Sequence, residues 1–351
     1  FRERCDEDLG GVTLRHLLDL QPTAGPDQPI WLPDGSGLVI KSTVDGKPVL
    51  RVVDAVTGSQ RNLVTGMGSL PFLSSPLVSV SPDGRWIAYV SDTGATDGRE
   101  QSSRVEIYLY RLDGGESRQL TTTHANINAY SWSPDSSTIV FSANRFGRYD
   151  IFSVSVPDGN IVRLTDDPRY EVYPVFFTDG ERIAYVRLNE RWTDHKIMIM
   201  TADGKSISIA AEDTDFFDYH YGRKFGYPLL TADDHNVHFP SHRNVWINYW
   251  QTTPHGGTPT PVHAETADQT DGVLSPAGDK LAYVANRNGT LRLVVVYLAD
   301  GSSDVLIEPD MGMITKPAWS PDGREIAFLW ESPTNAANLW VVDVESGETR
   351  Q

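Results

Sequence analysis

Histidine is the most concentrated ligand type in this chain: His235, His238 and His242 lie close together, with His220 and His255 in neighbouring segments. Imidazoles hold a metal without help from cysteine. The spacing argues against it here. His235 belongs to a turn and His238 to the strand after it, and a separation of three places two residues on opposite faces of a strand. Satisfied or solvated histidines are the expectation, with no metal and no cofactor. The specific catalytic signatures are also missing: the sequence holds no Gly-x-Ser-x-Gly nucleophile elbow, no His-Glu-x-x-His helix, no phosphate-binding glycine loop and no cysteine pair. No catalytic residue is therefore assigned. Asn288-Gly289-Thr290 fits a glycosylation acceptor, but so short a pattern reads first as a turn.

Binding groups are easier to find. The connection Asp213 to Tyr227 (DTDFFDYHYGRKFGY) carries Phe216, Phe217, Tyr219, His220, Tyr221 and Arg223. It either plugs one end of the scaffold with aromatic area or lines a surface for a ligand or partner, since long loops on rigid frames carry function. Four cations in such connections, Arg187, Arg191, Lys196 and Arg223, suit a carboxylate, and Glu100 or Glu331 suits an amine, through charge-assisted hydrogen bonds. A solvated loop charge is the competing reading for each.

A repeat must position these groups. Its clearest copy is Trp319-Ser320-Pro321-Asp322-Gly323 followed by apolar Ile326-Ala327-Phe328. Proline presets φ, aspartate tolerates the bridge region, and glycine removes the Cβ where the chain reverses, so the first part reads as a type I turn. The apolar run after it reads as a strand buried on both faces. Versions begin at Leu32, Ser81, Ser133, Phe177, Thr231 and Ser275, which makes about seven copies. Each is followed by a third strand, then a glycine turn such as Asp113-Gly114 or Asp158-Gly159, then a more polar fourth strand such as Arg118-Gln119-Leu120-Thr121. A sandwich does not require near-identical turns at one period. The expectation is an all-β, seven-bladed β-propeller of four-stranded antiparallel blades. Residues 1–27 form a lead-in segment packed on the propeller, and residues 28–351 the blades, near 28–66, 75–122, 128–166, 171–211, 226–263, 271–308 and 314–351.

Composition bounds the partners. Asp and Glu total 47 against 30 Lys and Arg, a formal charge of −17 that disfavours nucleic acid and anionic membranes. No run approaches the roughly 18 apolar residues of a membrane span, and no signal-peptide pattern opens the chain. The single Cys5 excludes an internal disulfide framework and leaves the compartment open.

The segments Pro317 to Phe328, Asn338 to Asp343 and Ser346 to Gln351 together resemble the N-terminal propeller of prolyl-oligopeptidase-family serine peptidases, with the acylaminoacyl-peptidase and dipeptidyl-peptidase branches most similar. The repeat is shared with TolB-type propellers. That resemblance implies a propeller that caps a C-terminal α/β-hydrolase domain and admits only short peptides; the hydrolase portion is absent from this sequence, so the hydrolase domain in cis and short peptides are the expected partners. Comparison of Thr349-Arg350-Gln351 with Arg163-Leu164-Thr165 suggests that the last blade ends inside its fourth strand and that the parent chain continues. A domain attached at either end would face the loops Asp92 to Arg104, Asn144 to Tyr149, Arg187 to Lys196 and Trp330 to Asn338. Two alternatives stand beside this reading: a free-standing TolB-type scaffold that binds a protein, and a metal-dependent propeller enzyme such as a polysaccharide lyase.

Overall fold

The turn unit folds as its residue types dictate. At Ser320 the hydroxyl donates to Asp322 Oδ1 at 2.6 Å and accepts from the Glu325 N–H at 2.9 Å, while the Gly323 N–H closes on the Ser320 carbonyl at 2.9 Å. Gly323 has φ 69°, in the left-handed region that glycine enters freely. The same network recurs at Ser81 and Ser133. In the third copy Ser136 stands in the glycine's place at φ 62°, and its hydroxyl accepts from the Asp83 N–H of the preceding copy at 3.0 Å. Successive turns therefore touch.

The structure, a computed structural model, describes residues 15–19, 28–45, 47–65, 67, 78–92, 104–190, 195–213, 229–230, 235–287, 289–309, 312–332 and 335–345. Among them every regular element is a strand. Five four-stranded antiparallel sheets span residues 30–65, 78–119, 127–163, 170–213 and 229–261, each a simple meander. An eight-stranded sheet holds the rest: four antiparallel strands over residues 268–307, three over 313–343, and Arg15–Asp19. Its two halves meet at a single parallel pairing, Leu291 with Met313. Four-stranded antiparallel sheets in this succession are consistent with a β-propeller.

Second strands are the hydrophobic spine. Ile87 to Val90, Ile139 to Phe141 and Ile326 to Leu329 are buried without alternation, because each lies in a sheet covered on both faces by its neighbours. Fourth strands end in Leu-Thr for a physical reason. The Leu120 and Leu164 N–H groups donate to the Ile107 and Ile151 carbonyls at 2.8 Å, and the next threonine's hydroxyl accepts the third strand's N–H at 2.9 Å.

Apolar clusters join the sheets in sequence, and the first sheet also packs on the last. Trp31, Leu38, Ile40 and Val53 share one cluster with Ala318, Ala327, Leu329, Leu339 and Val341. The Trp31 indole N–H donates to the Ala318 carbonyl at 3.1 Å and Gln28 Nε2 to the Pro317 carbonyl at 2.8 Å. Residues 15–19, read from sequence as part of the lead-in, form a strand antiparallel to Asn335–Asp343, with Arg15 opposite Val341 and Asp19 opposite Asn338. They occupy the edge where a fourth strand belongs. Residues 346–351, expected to begin that fourth strand, lie outside the described residues, as does the turn at Thr231 to Asp234.

Ser320→Ala removes one hydroxyl that serves both Asp322 and the Glu325 N–H at a position only 4 % exposed. Loss of about 1–3 kcal/mol of unfolding free energy is expected in urea titration, with an unchanged m-value.

Candidate functional site

The end of the molecule opposite the Ser-Pro-Asp-Gly turns carries the connections between second and third strands and between fourth and first strands. Its charge is organised in pairs. In the sheet over 170–213, Glu171 sits in the strand Tyr170–Phe176 with no exposed side-chain surface, opposite Arg187 in register. Arg187 donates to Glu171 Oε1 from Nε at 3.0 Å and from Nη2 at 2.7 Å, and Nη2 also reaches the Tyr185 hydroxyl at 3.0 Å. Asp167 lies 3.6 Å from Arg187 and binds Arg169 through both carboxylate oxygens at 2.7 and 3.0 Å. Burial pushes the Glu171 carboxyl above its ordinary range despite Arg187, while the Arg169 hydrogen bonds hold Asp167 below its own.

The neighbouring sheet repeats the device. Asp150, fully buried at the start of Asp150–Ser155, accepts from Arg163 Nη2 at 2.8 Å, and the same nitrogen reaches Asp166 at 2.5 Å. Desolvation raises the Asp150 carboxyl. The Arg163 guanidinium lies 4.6 Å from the centroid of Phe146, whose ring is 56 % exposed at the tip of the connection Asn144 to Tyr149. Arg145 flanks the same ring at 5.7 Å. Phe146 is thus an exposed aromatic ring with two cations near it.

Of the residues named from sequence, Arg187 and Lys196 are brought together, opposite each other in register. Arg187 is only 10 % exposed and committed to Glu171, and Lys196 holds Glu212 at 2.8 Å. Glu331 is exposed in a different sheet, opposite Met313. Phe216, Phe217, Tyr219, His220, Tyr221, Arg223, Arg191 and Glu100 lie outside the described residues. His238 is buried in the strand Val237–Ser241 with Nε2 3.2 Å from Gln251 Oε1; His235 and His242 flank that strand.

A feature not read from sequence lies at the axis. First strands of the first two sheets and of both halves of the eight-stranded sheet wall a cavity of about 420 Å³ near the turn end, among them Ile30, Val78, Val80, Val273, Leu274 and Ala318. Deeper along two of those strands, Lys316 Nζ sits 3.2 Å from Asp271 Oδ1. Both residues occupy breaks in strand register, between Thr270 and Val273 and between Thr315 and Ala318. At the first break the Gly272 N–H donates to the buried Tyr249 hydroxyl at 2.6 Å, and a Cβ at Gly272 would run into that ring. The signal in the sequence was a polar residue followed by Gly or Pro inside a strand, Asp271-Gly272 and Lys316-Pro317.

Known proteins share this architecture. Residues 98–216 match the TolB beta propeller domain. Curated relatives include an uncharacterised protein of Agrobacterium fabrum, 23 % identical, with 86 % of this chain and 84 % of that protein aligned. They also include dipeptidyl-peptidase 5 of Porphyromonas gingivalis, 21 % identical over 78 % of this chain but 47 % of the peptidase. The chain thus spans about half the length of that peptidase. Among solved structures, an oligogalacturonate lyase from Vibrio parahaemolyticus superposes with a TM-score of 0.74 over 98 % of this chain and 96 % of the lyase at 13 % identity. Propeller portions of solved peptidases are matched as well, and these structural likenesses show the fold alone.

The raised Glu171 carboxyl has a definite pH consequence. The folded chain holds that proton more tightly than the unfolded chain, so the contribution is complete below the ordinary value near 4.5 and is lost as pH rises through the raised one. Urea unfolding between pH 4 and 8 is expected to show wild type losing stability relative to Glu171→Gln as pH rises; parallel profiles would refute the buried, desolvated carboxylate.

Proposed function

We propose that this chain is a seven-bladed β-propeller that serves as the non-catalytic part of a serine peptidase, gating the access of short peptides to an α/β-hydrolase domain. Counting the two halves of the eight-stranded sheet as separate blades, with Arg15–Asp19 as the fourth strand of the last, gives seven. The observation that carries the functional reading is the alignment with dipeptidyl-peptidase 5, which takes in most of this chain and 47 % of the peptidase. The sequence itself holds no nucleophile elbow, so chemistry belongs to the remainder of such a protein. Two features support a domain-facing role for the loop end: its buried ion pairs tie the first strand to the second in one sheet and the third to the fourth in the next, and Phe146 lies near two arginines. A ring whose axis is narrower than a folded chain would filter by size, admitting an extended peptide and excluding a folded one.

A free-standing scaffold is the second reading, favoured by the Agrobacterium relative, of which 84 % aligns with this chain. Reading the gene beyond the Gln351 codon separates the two. A Gly-x-Ser-x-Gly segment within an α/β pattern is expected, and an immediate stop codon would sink the peptidase reading. For the intact protein, Phe146→Asp is expected to increase cleavage of a folded protein relative to a short chromogenic peptide, because it weakens the seating of the two domains. A lyase reading requires a bound metal, which elemental analysis of the purified protein detects, and His238→Ala would then abolish both metal and activity.

A further inference from the structure

The first strands Tyr170–Phe176, Asp268–Leu274 and Met313–Trp319 each break register once, and each break holds a non-glycine residue in the left-handed region: Tyr173 at φ 56°, Asp271 at 52° and Lys316 at 58°. Side chains of L residues adopt this conformation rarely, and more often at functional sites than elsewhere. A bulge re-aims the side chain it carries. Here two of the three re-aimed residues are an acid and a base from adjacent halves of the eight-stranded sheet, and they meet. Asp271 accepts the Lys316 backbone N–H on Oδ2 at 3.3 Å and the ammonium on Oδ1 at 3.2 Å.

The pair leaves hydrogen-bonding capacity available. Each oxygen of Asp271 holds one donor from Lys316 and keeps further acceptor capacity. An ammonium has three donors, and among the described residues Asp271 is the acceptor for one of them. The side chains of Lys316 and Asp271 are 18 % and 26 % exposed, so neither is sealed from solvent. The group complementary to the two remaining donors of the ammonium is a carboxylate.

An apolar chamber adjoins it. Two residues along the same strands from Asp271 and Lys316 stand Val273 and Ala318, walls of the 420 Å³ cavity. Among the described residues no ionisable side chain lines the cavity, and its polar members are occupied: Gln28 Nε2 donates to the Pro317 carbonyl and Ser79 Oγ accepts from the Trp132 indole N–H at 3.0 Å. Such a volume takes a small ligand or the end of a peptide rather than a folded segment.

The geometry points to a binding site for the free C-terminus of a peptide whose last residue is apolar, with the carboxylate on Lys316 and the side chain in the cavity. This site goes beyond the gating reading and needs no attached hydrolase domain, so its test on this chain alone succeeds or fails independently of any sequence past Gln351.

Calorimetric titration with acetyl-Ala-Leu and with the corresponding C-terminal amide gives the direct comparison. The acid is expected to bind and the amide to bind at least about tenfold more weakly. Lys316→Met is expected to abolish that discrimination, and Val80→Phe, which fills the cavity from another sheet, to weaken binding of the acid by a similar factor; thermal melts confirm that each variant is folded. Equal affinity of the wild type for acid and amide, or no binding of the acid at millimolar concentration, would overturn the assignment without recourse to any variant. So would a folded Lys316→Met protein that still prefers the acid.

Discussion

Everything in this molecule depends on the apolar contact between its first and last sheets. A four-stranded antiparallel sheet with both faces apolar is not stable alone, since each face must be covered by another sheet. In a linear stack the two end sheets would each leave a face in water. Here Trp31, Leu38, Ile40 and Val53 meet Ala318, Ala327, Leu329, Leu339 and Val341, so the stack returns on itself and no end face remains. Closure converts a chain of neighbour contacts into a ring, and a ring fixes an axis. The cavity walled jointly by the first strands at the start and the end of the chain is a consequence of that return.

The loop end shows what a rigid frame permits. Burying Glu171 and Asp150 raises both carboxyls even with arginine partners beside them, which means desolvation outweighs attraction at these positions. Such pairs add little net stability but fix geometry, since a buried acid with a single arginine partner tolerates few alternative arrangements. Arg187 is the instructive case. Its type suggests a free cation for a peptide carboxylate, whereas its neighbours make it a strut. Lys316, one cation among many in the sequence, keeps donors to spare among the described residues and stands beside an apolar chamber.

Local chemistry made much of the fold legible. Pro, Asp and Gly within four residues fix a turn without help from the rest of the chain, and the Leu-Thr ending of a fourth strand records a hydrogen bond to the strand beside it. Long-range pairing was not legible in the same way. Nothing in Arg15 to Asp19 names Val341 and Asn338 as partners, because strand pairing at that separation is decided by closure of the ring. The Asp271–Lys316 pair, separated by 45 residues, becomes visible only when two bulges turn the side chains toward each other. Most of the aromatic and charged residues singled out in the long connections lie outside the described residues, so loop composition did not lead to the axial cavity.

Hydrogen exchange measured by mass spectrometry on a Leu339→Ala variant tests closure most directly. Leu339 is fully buried in the junction cluster, and its truncation is expected to destabilise the protein by about 2–5 kcal/mol. If the ring is held by this junction, protection falls in Gly37–Val44 of the first sheet as much as in Glu325–Ser332 of the last. Loss of protection confined to the last sheet, with Gly37–Val44 unchanged, would contradict the account.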